Sequence, residues 1–591
     1  MCRITGIVSE HLTNEDVISV KAMCNALRHG GPDDEGIYVS NRNDVAFGHR
    51  RLSIIDLSRN GHQPMANADQ TVVITFNGEI YNYRELKARL LKLGAAFQND
   101  TDTEVIIQAY RHWGTASFSK LRGMFAFALH DIAHNEIYLV RDTAGIKPLY
   151  YHADGKKLVF ASEIRAFKQS GLNYQANAQW PVLLLAYGHI PEPHTTLQDV
   201  LSLPKGHYLH RDKNGRCKLV SYAITSDGQF IERPEAARGI IRDSLQAAVK
   251  RQLIADAPIG VFLSGGIDSS LLSLLANEEV SQLKTVSIFF NEKQYDERRY
   301  QQTILNKLQG ENFTHLVKQQ DFERYFQQII SAMDMPTTDG INSWFISKYA
   351  NENGLKAVLS GVGADELFGG YPSFSRIKYL GYIKRIPFQV LRLARNMGSS
   401  GYKRLSYLGY NHIVADYLTL RGLFSINEIA MLTGTTEQHV ANILFADDPQ
   451  PYQGADDALK ASWLETNIYM QNQLLHDTDA MSMSHGLEVR VPFLDEELTT
   501  AVARISPGIR FANPPKKLLV ESFADILPEA VWNRPKMGFT FPLQQWMREN
   551  EAISHLGNYQ SPAAKKMIAD FNKGQMHWSR AFALYQIQEH V

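Results

Sequence analysis

Ser264-Gly265-Gly266-Ile267-Asp268-Ser269-Ser270 follows directly on the apolar segment Ile259-Gly260-Val261-Phe262-Leu263 and runs into a helical apolar pattern, Leu271, Leu272, Leu274 and Leu275. Strand, glycine loop and helix in that order turn backbone N–H groups and the positive end of a helix dipole toward one point, which suits a phosphate. Gly265 and Gly266 permit the left-handed backbone and the close approach that such a ligand needs. The hydroxyls of Ser264, Ser269 and Ser270 add donors. Asp268 would repel a bare phosphate, so its expected role is to hold a cation that bridges to one. A lone Ser/Gly loop would be an ordinary βα turn with a serine cap. The aspartate set between glycines and serines favours a bound ligand instead. No lysine follows the glycines, so the loop is not a Walker-type P-loop.

Outward from this loop, strand and helix alternate. Residues 284–290, 313–317 and 355–359 read as strands, and 235–253, 297–308, 322–333 and 341–353 as helices. Such alternation predicts an α/β doubly wound parallel sheet with ligands beyond the carboxyl ends of its strands. A second polar glycine loop, Ser360-Gly361-Val362-Gly363-Ala364-Asp365-Glu366, ends one of those strands. Asp365 is expected to join Asp268 on Mg2+. Past Tyr371 the chain reads as mainly helical. The basic-aromatic run 376–404 is read as a solvated helical face, not a nucleic-acid surface.

At the other end the chain reads Met1-Cys2-Arg3-Ile4-Thr5-Gly6. Removal of Met1 would leave a cysteine whose own α-amine, of ordinary pKa about 8, can act as its base. Farther on stand Arg50-Arg51-Leu52-Ser53-Ile54-Ile55, the strand 71–76 with Asn77-Gly78-Glu79 after it, and Thr101-Asp102-Thr103-Glu104 before a helical pattern. Cys24 reads as a buried filler. Cys217 lies in a polar turn or edge, and neither carries assigned chemistry.

The totals bound these readings. A chain of 591 residues exceeds one core, so two or more domains are expected. A net charge of −1 exerts no long-range pull on nucleic acid or anionic membrane. Three cysteines exclude a disulfide framework. There is no signal peptide and no run of eighteen apolar residues, so a soluble cytoplasmic protein with neither membrane nor nucleic-acid partner is expected.

The loop at 264–270 looks like the SGGxDS loop of the ATP-pyrophosphatases, which cleave ATP between its α and β phosphates. About the first two hundred residues resemble a class II glutamine amidotransferase, an N-terminal-nucleophile hydrolase. Met-Cys, Gly31-Pro32-Asp33, RLSI, NGEIYN, Asp102, Arg141-Asp142 and Gly145-Ile146-Lys147-Pro148 carry that resemblance. Over nearly the whole chain, SGGIDSS, SGVGADELFGGY, MSMSHGLEVRVPFLD and RPKMGF resemble the glutamine-hydrolysing asparagine synthetase family.

The resemblance implies an α+β N-terminal-nucleophile sandwich (αββα) over 1–210 and a junction over 211–234. It further implies an ATP-pyrophosphatase domain over 235–560 and a helical tail over 561–591. It makes Cys2 the nucleophile on glutamine and Asn77 with Gly78 the oxyanion hole. Arg51, Leu52, Ser53, Ile54, Ile55, Glu79 and Asp102 would line the glutamine site. Leu263, Ser264, Gly265, Gly266, Asp268, Ser269, Ser270, Ile288, Ser360 and Gly361 would line the ATP site. Asp268 and Asp365 would hold Mg2+, and Lys536 would stabilise charge on the phosphates. Ammonia freed at Cys2 would pass inside the protein to a carboxylate activated as acyl-AMP, and a homodimer is expected. One position departs: many asparagine-forming members carry an acidic residue where Val362 stands. The acceptor therefore stays open between aspartate and another carboxylate, such as that of a sugar acid or natural product.

Overall fold

The computed structural model describes residues 2–223, 229–393, 400–446, 452, 454 and 456–590. Residues 224–228 of the expected junction and 394–399 of the basic run lie outside them.

Two antiparallel six-stranded sheets stack in the first part of the chain. One runs Leu201–Ser202, Tyr150–Ala153, Lys157–Ala161, Arg3–Ser9, Val45–Arg51, Asp34–Val39. The other runs Cys217–Ser221, His207–Arg211, Glu136–Arg141, Gly123–Asp131, Val72–Ile80, Met65–Ala66. Strand Gly123–Asp131 shows how sequence makes the layers. Its Phe125, Phe127 and Leu129 pack against helices Tyr83–Lys92 and Asp102–Trp113, through Leu86, Leu90, Val105 and Ile106. Its Ala126 and Ala128 face the first sheet, meeting Ile4, Val8, Phe47 and Phe160. Period-two alternation of large and small side chains thus fills one interface and lets the other close. Helix Asn14–Ala26 covers the far face of the first sheet through Val20 and Met23. The result is the expected αββα sandwich.

The segment 211–234, expected as a junction, begins inside this sandwich. Its residues Cys217–Ser221 pair with His207–Arg211 at the sheet edge. The strand escaped detection because it is polar and mostly exposed, as edge strands are.

The second sheet system is parallel throughout, in the order Gly310–Leu316, Leu283–Phe289, Ile259–Phe262, Ala357–Leu359, Glu488–Arg490. Helix Pro234–Gln252 packs with Ile267–Glu279 on one face through Ile241, Leu245, Leu271 and Leu275. Phe322, Phe326, Ile341 and Trp344 pack on the other, against Val286 and Val358. The chain enters at Ile259–Phe262, winds outward one way, then returns to add Ala357–Leu359 on the opposite side. The switch point therefore lies between these two neighbours, and both glycine loops follow them directly. A long helical region closes the molecule, including an eleven-residue π-helical stretch, Glu465–Leu475. The terminal helices Pro562–Asn572 and Trp578–His590 bury Phe571, Phe582 and Tyr585 in the main core. Among the described residues no helix is long and apolar enough to cross a membrane.

Candidate active sites

Cys2 precedes the central strand of the first sheet and is buried. Its Sγ lies 4.0 Å from the Leu52 carbonyl oxygen. Burial pushes its thiol up to about 11, against the pull of the Arg51 guanidinium. The next residue anchors it: Arg3 is wholly buried between Glu163, at 2.6 Å, and Asp479, at 2.7 Å. Asp479 belongs to the second half of the chain and also pairs with Lys147 at 2.7 Å.

Asn77 is fully buried in the strand Val72–Ile80, and neither side-chain polar atom has a hydrogen-bond partner. A buried amide left unsatisfied costs about 1–3 kcal/mol, and an Nδ2 without a protein partner can donate to a ligand. Gly78 adopts φ 152°, and a Cβ there would meet the Met124 carbonyl oxygen at 2.1 Å. Only glycine fits, and an Asn-Gly pair of this kind fits the expected oxyanion hole.

Glu79, buried beside them, leaves Oε2 without a partner. Burial, then Glu488 and Asp102, push its carboxyl well above the usual range. Asp102, at the start of its helix, accepts the Ile80 N–H at 3.0 Å. Burial and Glu488 push it up to about 6. Glu488 and Arg490 come from the fifth parallel strand, and the Arg490 guanidinium lies 3.8 Å from Glu79. The resemblance places the glutamine α-ammonium beside Glu79 and Asp102.

Arg51 is held by the backbone that follows its strand. Its guanidinium donates to the carbonyls of Ser58 at 2.7 Å, Ile55 at 3.4 Å and Asp56, and so organises the loop after its strand. Gly61 makes room for it, since a Cβ there would strike the guanidinium at 1.8 Å. Leu52 and Ile54 are buried. The Ser53 N–H is held by Asp33 at 2.9 Å. The Ile54 carbonyl accepts Asp256 N–H at 2.9 Å from the second half.

At the switch point the Leu263 N–H bonds the Val286 carbonyl at 2.9 Å. Gly265 turns at φ 81°, and Ser264 and Ser269 join hydroxyl to hydroxyl at 2.9 Å. The Ser270 hydroxyl is buried without a partner. Ile288 is buried, and its carbonyl accepts Gln301 at 3.2 Å. The Ser360 N–H bonds the Arg490 carbonyl at 2.8 Å. Arg490 therefore touches the second glycine loop through its backbone and the glutamine cluster through its side chain. At Gly361 a Cβ would stand 2.9 Å from that of Asp268, so glycine lets the two loops meet.

Asp268 and Asp365 converge on one ammonium. Lys516 Nζ lies 2.5 Å from Asp268 and 2.6 Å from Asp365. Lys536 Nζ bonds Asp365 at 2.7 Å and the Gly370 carbonyl at 3.0 Å. Burial opposes ionisation of Asp365, but the two lysines outweigh it and hold its carboxyl below the usual range. Burial wins at Asp268, whose carboxyl is raised although Lys516 resists the shift. Two carboxylates closing on one small cation fit Mg2+, which binds through one or two carboxylates plus substrate phosphates.

Lys516 was not foreseen from sequence. It sits in a Pro-Pro-Lys-Lys turn at φ 62°, with no motif to mark it. Arg534 was also missed. It donates to the Gly265 carbonyl at 3.0 Å and pairs with Glu297 at 2.7 Å, fastening the RPKMGF loop to the first glycine loop.

From Lys536 a set of buried groups leads inward. Its ammonium lies 4.8 Å from the Tyr371 ring. Tyr371 donates to Glu366 at 2.9 Å, and burial and Asp365 push that carboxyl up to about 7. Arg421 stacks on Tyr371 at 4.5 Å and Tyr469 at 3.7 Å, and pairs with Glu465 at 2.6 Å. Val362, half-buried, carries no charge into this neighbourhood.

The glutamine cluster yields a pH prediction. The Asp102 carboxyl feels Glu488 and accepts the Ile80 N–H, and in the role the resemblance implies it would have to be ionised to hold an ammonium. The kcat/KM for glutamine should therefore fall as pH drops through about 6. Asp102→Asn should remove that limb and raise KM roughly tenfold or more, by loss of a charge-assisted bond. A folded pKa above the unfolded one means stability falls as pH rises between the two. The ligand-free Asn variant should thus melt higher than the parent at pH 7, checked by thermal unfolding.

Comparisons with known proteins bear on both sites. Residues 1–222 match the family model described as glutamine amidotransferase domain. Residues 240–577 match that described as asparagine synthase. Asparagine synthetase [glutamine-hydrolyzing] 1 of Bacillus subtilis is 31% identical over 573 residues, covering 94% of this chain and 90% of its own. A putative asparagine synthetase [glutamine-hydrolyzing] of Mycobacterium tuberculosis is 30% identical, covering 89% of this chain and 84% of its own. Amidase chry2 of Gibberella zeae is 28% identical, covering 88% and 84%.

Proposed function

The chain belongs to the asparagine synthase family, and from that premise we propose how its two sites divide one reaction. It is a glutamine-hydrolysing carbon–nitrogen ligase. In our reading Cys2 attacks the side-chain amide carbon of glutamine, ammonia leaves, and water later releases glutamate from the thioester. Asn77 Nδ2 and the Gly78 N–H hold the oxyanion, and Glu79 with Asp102 hold the α-ammonium. Arg51 acts on the glutamine carboxylate only if it gives up a loop carbonyl, and otherwise shapes the loop.

At the switch point the acceptor carboxylate attacks the α-phosphorus of ATP, and the bond to the β-phosphate breaks. Ser264, Ser269 and Ser270 with the loop N–H groups receive the pyrophosphate. Lys536 and Lys516 stand near enough to neutralise its charge. Bound by Asp268 and Asp365, Mg2+ would supply further charge neutralisation on the phosphates. Ammonia then attacks the acyl carbon and AMP leaves. The convergence of Asp268, Asp365 and two lysines beside both glycine loops carries this reading.

Aspartate is the first acceptor proposed, with asparagine as product. Val362 favours a second: another carboxylate, on a sugar acid or natural product. An amidase standing among the relatives is compatible with it. We take the enzyme to work in the cytoplasm, where glutamine and ATP are held, and to be a homodimer. ATP–pyrophosphate exchange measured across a panel of carboxylates, aspartate included, tests the proposal. Exchange should appear only with the true acceptor. Release of ADP and orthophosphate would overturn the chemistry, and exchange with aspartate alone would dismiss the second acceptor.

A further inference from the structure

We propose that the face formed by helices Ser373–Ile383 and Phe388–Leu393 docks on an anionic lipid surface. Between Glu366 and Asp416 the chain carries eight Lys and Arg residues and no Asp or Glu. Some of these charges are used inside the fold. Lys384 pairs with Asp416 at 2.6 Å, and Lys403 with Glu428 at 3.0 Å. Arg376, Lys378 and Arg385 are exposed and make no ion pair with a described carboxylate.

Large apolar side chains stand among them. Tyr382 is 68% exposed, Leu393 63%, Tyr379 55%, Val390 53% and Ile386 40%. They are outward by construction, because Ile377, Leu380 and Leu391 occupy the buried sides of the same helices. Lys378 lies 5.2 Å over the Tyr379 ring and Arg385 5.5 Å over that of Tyr382. With Phe388, 39% exposed, six large apolar groups stand out within fifteen residues, more than a merely solvated face gathers. The proposal departs from the expectation of a merely solvated face and of no membrane partner.

The chemistry selects the occupant. A second copy of the chain would set this basic face against itself across a two-fold axis, placing like charges together. Single-stranded nucleic acid could stack on Tyr379, Tyr382 and Phe388 but would leave the aliphatic Ile386, Val390 and Leu393 without a partner. A lipid surface uses every group present. Aliphatic side chains enter the acyl boundary, tyrosines sit at headgroup level, and cations meet anionic lipid. The contact would be peripheral.

Sedimentation of the full-length enzyme with vesicles tests this. Vesicles of phosphatidylcholine with one-third phosphatidylglycerol should carry the protein down at 0.1 M salt, and pure phosphatidylcholine should not. Each cation near anionic lipid contributes about 1 kcal/mol, a factor of about five. Lys378→Glu with Arg385→Glu should therefore weaken partition at least tenfold. Ile386→Ser with Leu393→Ser should weaken it similarly, and glutamine hydrolysis should be unchanged in both. Absence of vesicle binding, or binding equal in parent and variants, would overturn the proposal. So would variants that turn a dimer into a monomer without altering vesicle binding, or an oligonucleotide that binds more tightly than the vesicles.

Discussion

Replacing Cys2 by alanine should abolish amide synthesis from glutamine and leave synthesis from added ammonium largely intact. In the proposed division of labour this thiol forms and releases the acyl intermediate, and loss of a nucleophile typically lowers the rate about 10^4-fold or more. Its buried thiol, held near 11, is almost wholly protonated at neutral pH. Activation must come from a nearby base, and the α-amine exposed by removal of Met1 has an ordinary pKa of about 8. Anchoring of Arg3 by Glu163 and Asp479 fixes the backbone of the neighbouring residue, so the geometry survives the truncation. Loss of one small buried sulfur destabilises by only about 1 kcal/mol in typical cores. The switch-point loops do not touch Cys2, so adenylation has no reason to fall with it. Amide product is measured with glutamine and with ammonium chloride in parallel. Equal loss from both sources would refute the division of labour.

The parallel sheet was legible because its strands are short apolar runs ending in glycine loops. Val-Ser-Ile-Phe and Ala-Val-Leu were read within a few residues of their observed limits. Glu488–Arg490 was not read as a strand. The run Leu487 to Val491 alternates, but it is short and carries two charges, and its partner Ala357–Leu359 lies far back in the chain. Yet this strand joins the two sites, through the Arg490 carbonyl on Ser360 and its guanidinium beside Glu79. Its charges read as surface features until the fold buries them.

The candidate sites follow the same rule. Asn77 and Gly78 share one contiguous motif, Asp268 and Asp365 lie in two others, and the fold brings the last two together on Lys516. Lys516 and Arg534 complete the ATP-side cluster from loops about 250 residues away. Arg51 lies in a motif, but whether its guanidinium meets loop carbonyls or a ligand depends on backbone at Asp56 and Ser58. Local pattern does not encode that choice.

Asp268→Asn should lower acceptor-dependent AMP formation by about 10^2- to 10^3-fold, while glutamine hydrolysis persists within a few-fold. The substitution keeps size and hydrogen bonding but removes one of the two carboxylates that close on a cation. Loss of one preorganised charge at a developing phosphate charge typically costs about 3–4 kcal/mol of transition-state stabilisation. The fold tolerates the change, because Lys516 keeps its contact with Asp365 at 2.6 Å and is not left a lone buried charge. Asp365→Asn should be worse for stability, since both Lys516 and Lys536 lean on that side chain. Lys516→Met tests the other partner. It leaves two facing carboxylates with Lys536 on one of them, so a higher apparent affinity for Mg2+ should accompany poorer pyrophosphate handling. AMP and pyrophosphate are followed across a magnesium titration, with thermal unfolding to separate folding from chemistry. A variant lacking Asp268 that still forms AMP at the parent rate would remove the cation-holding role, and with it the reason the two glycine loops meet.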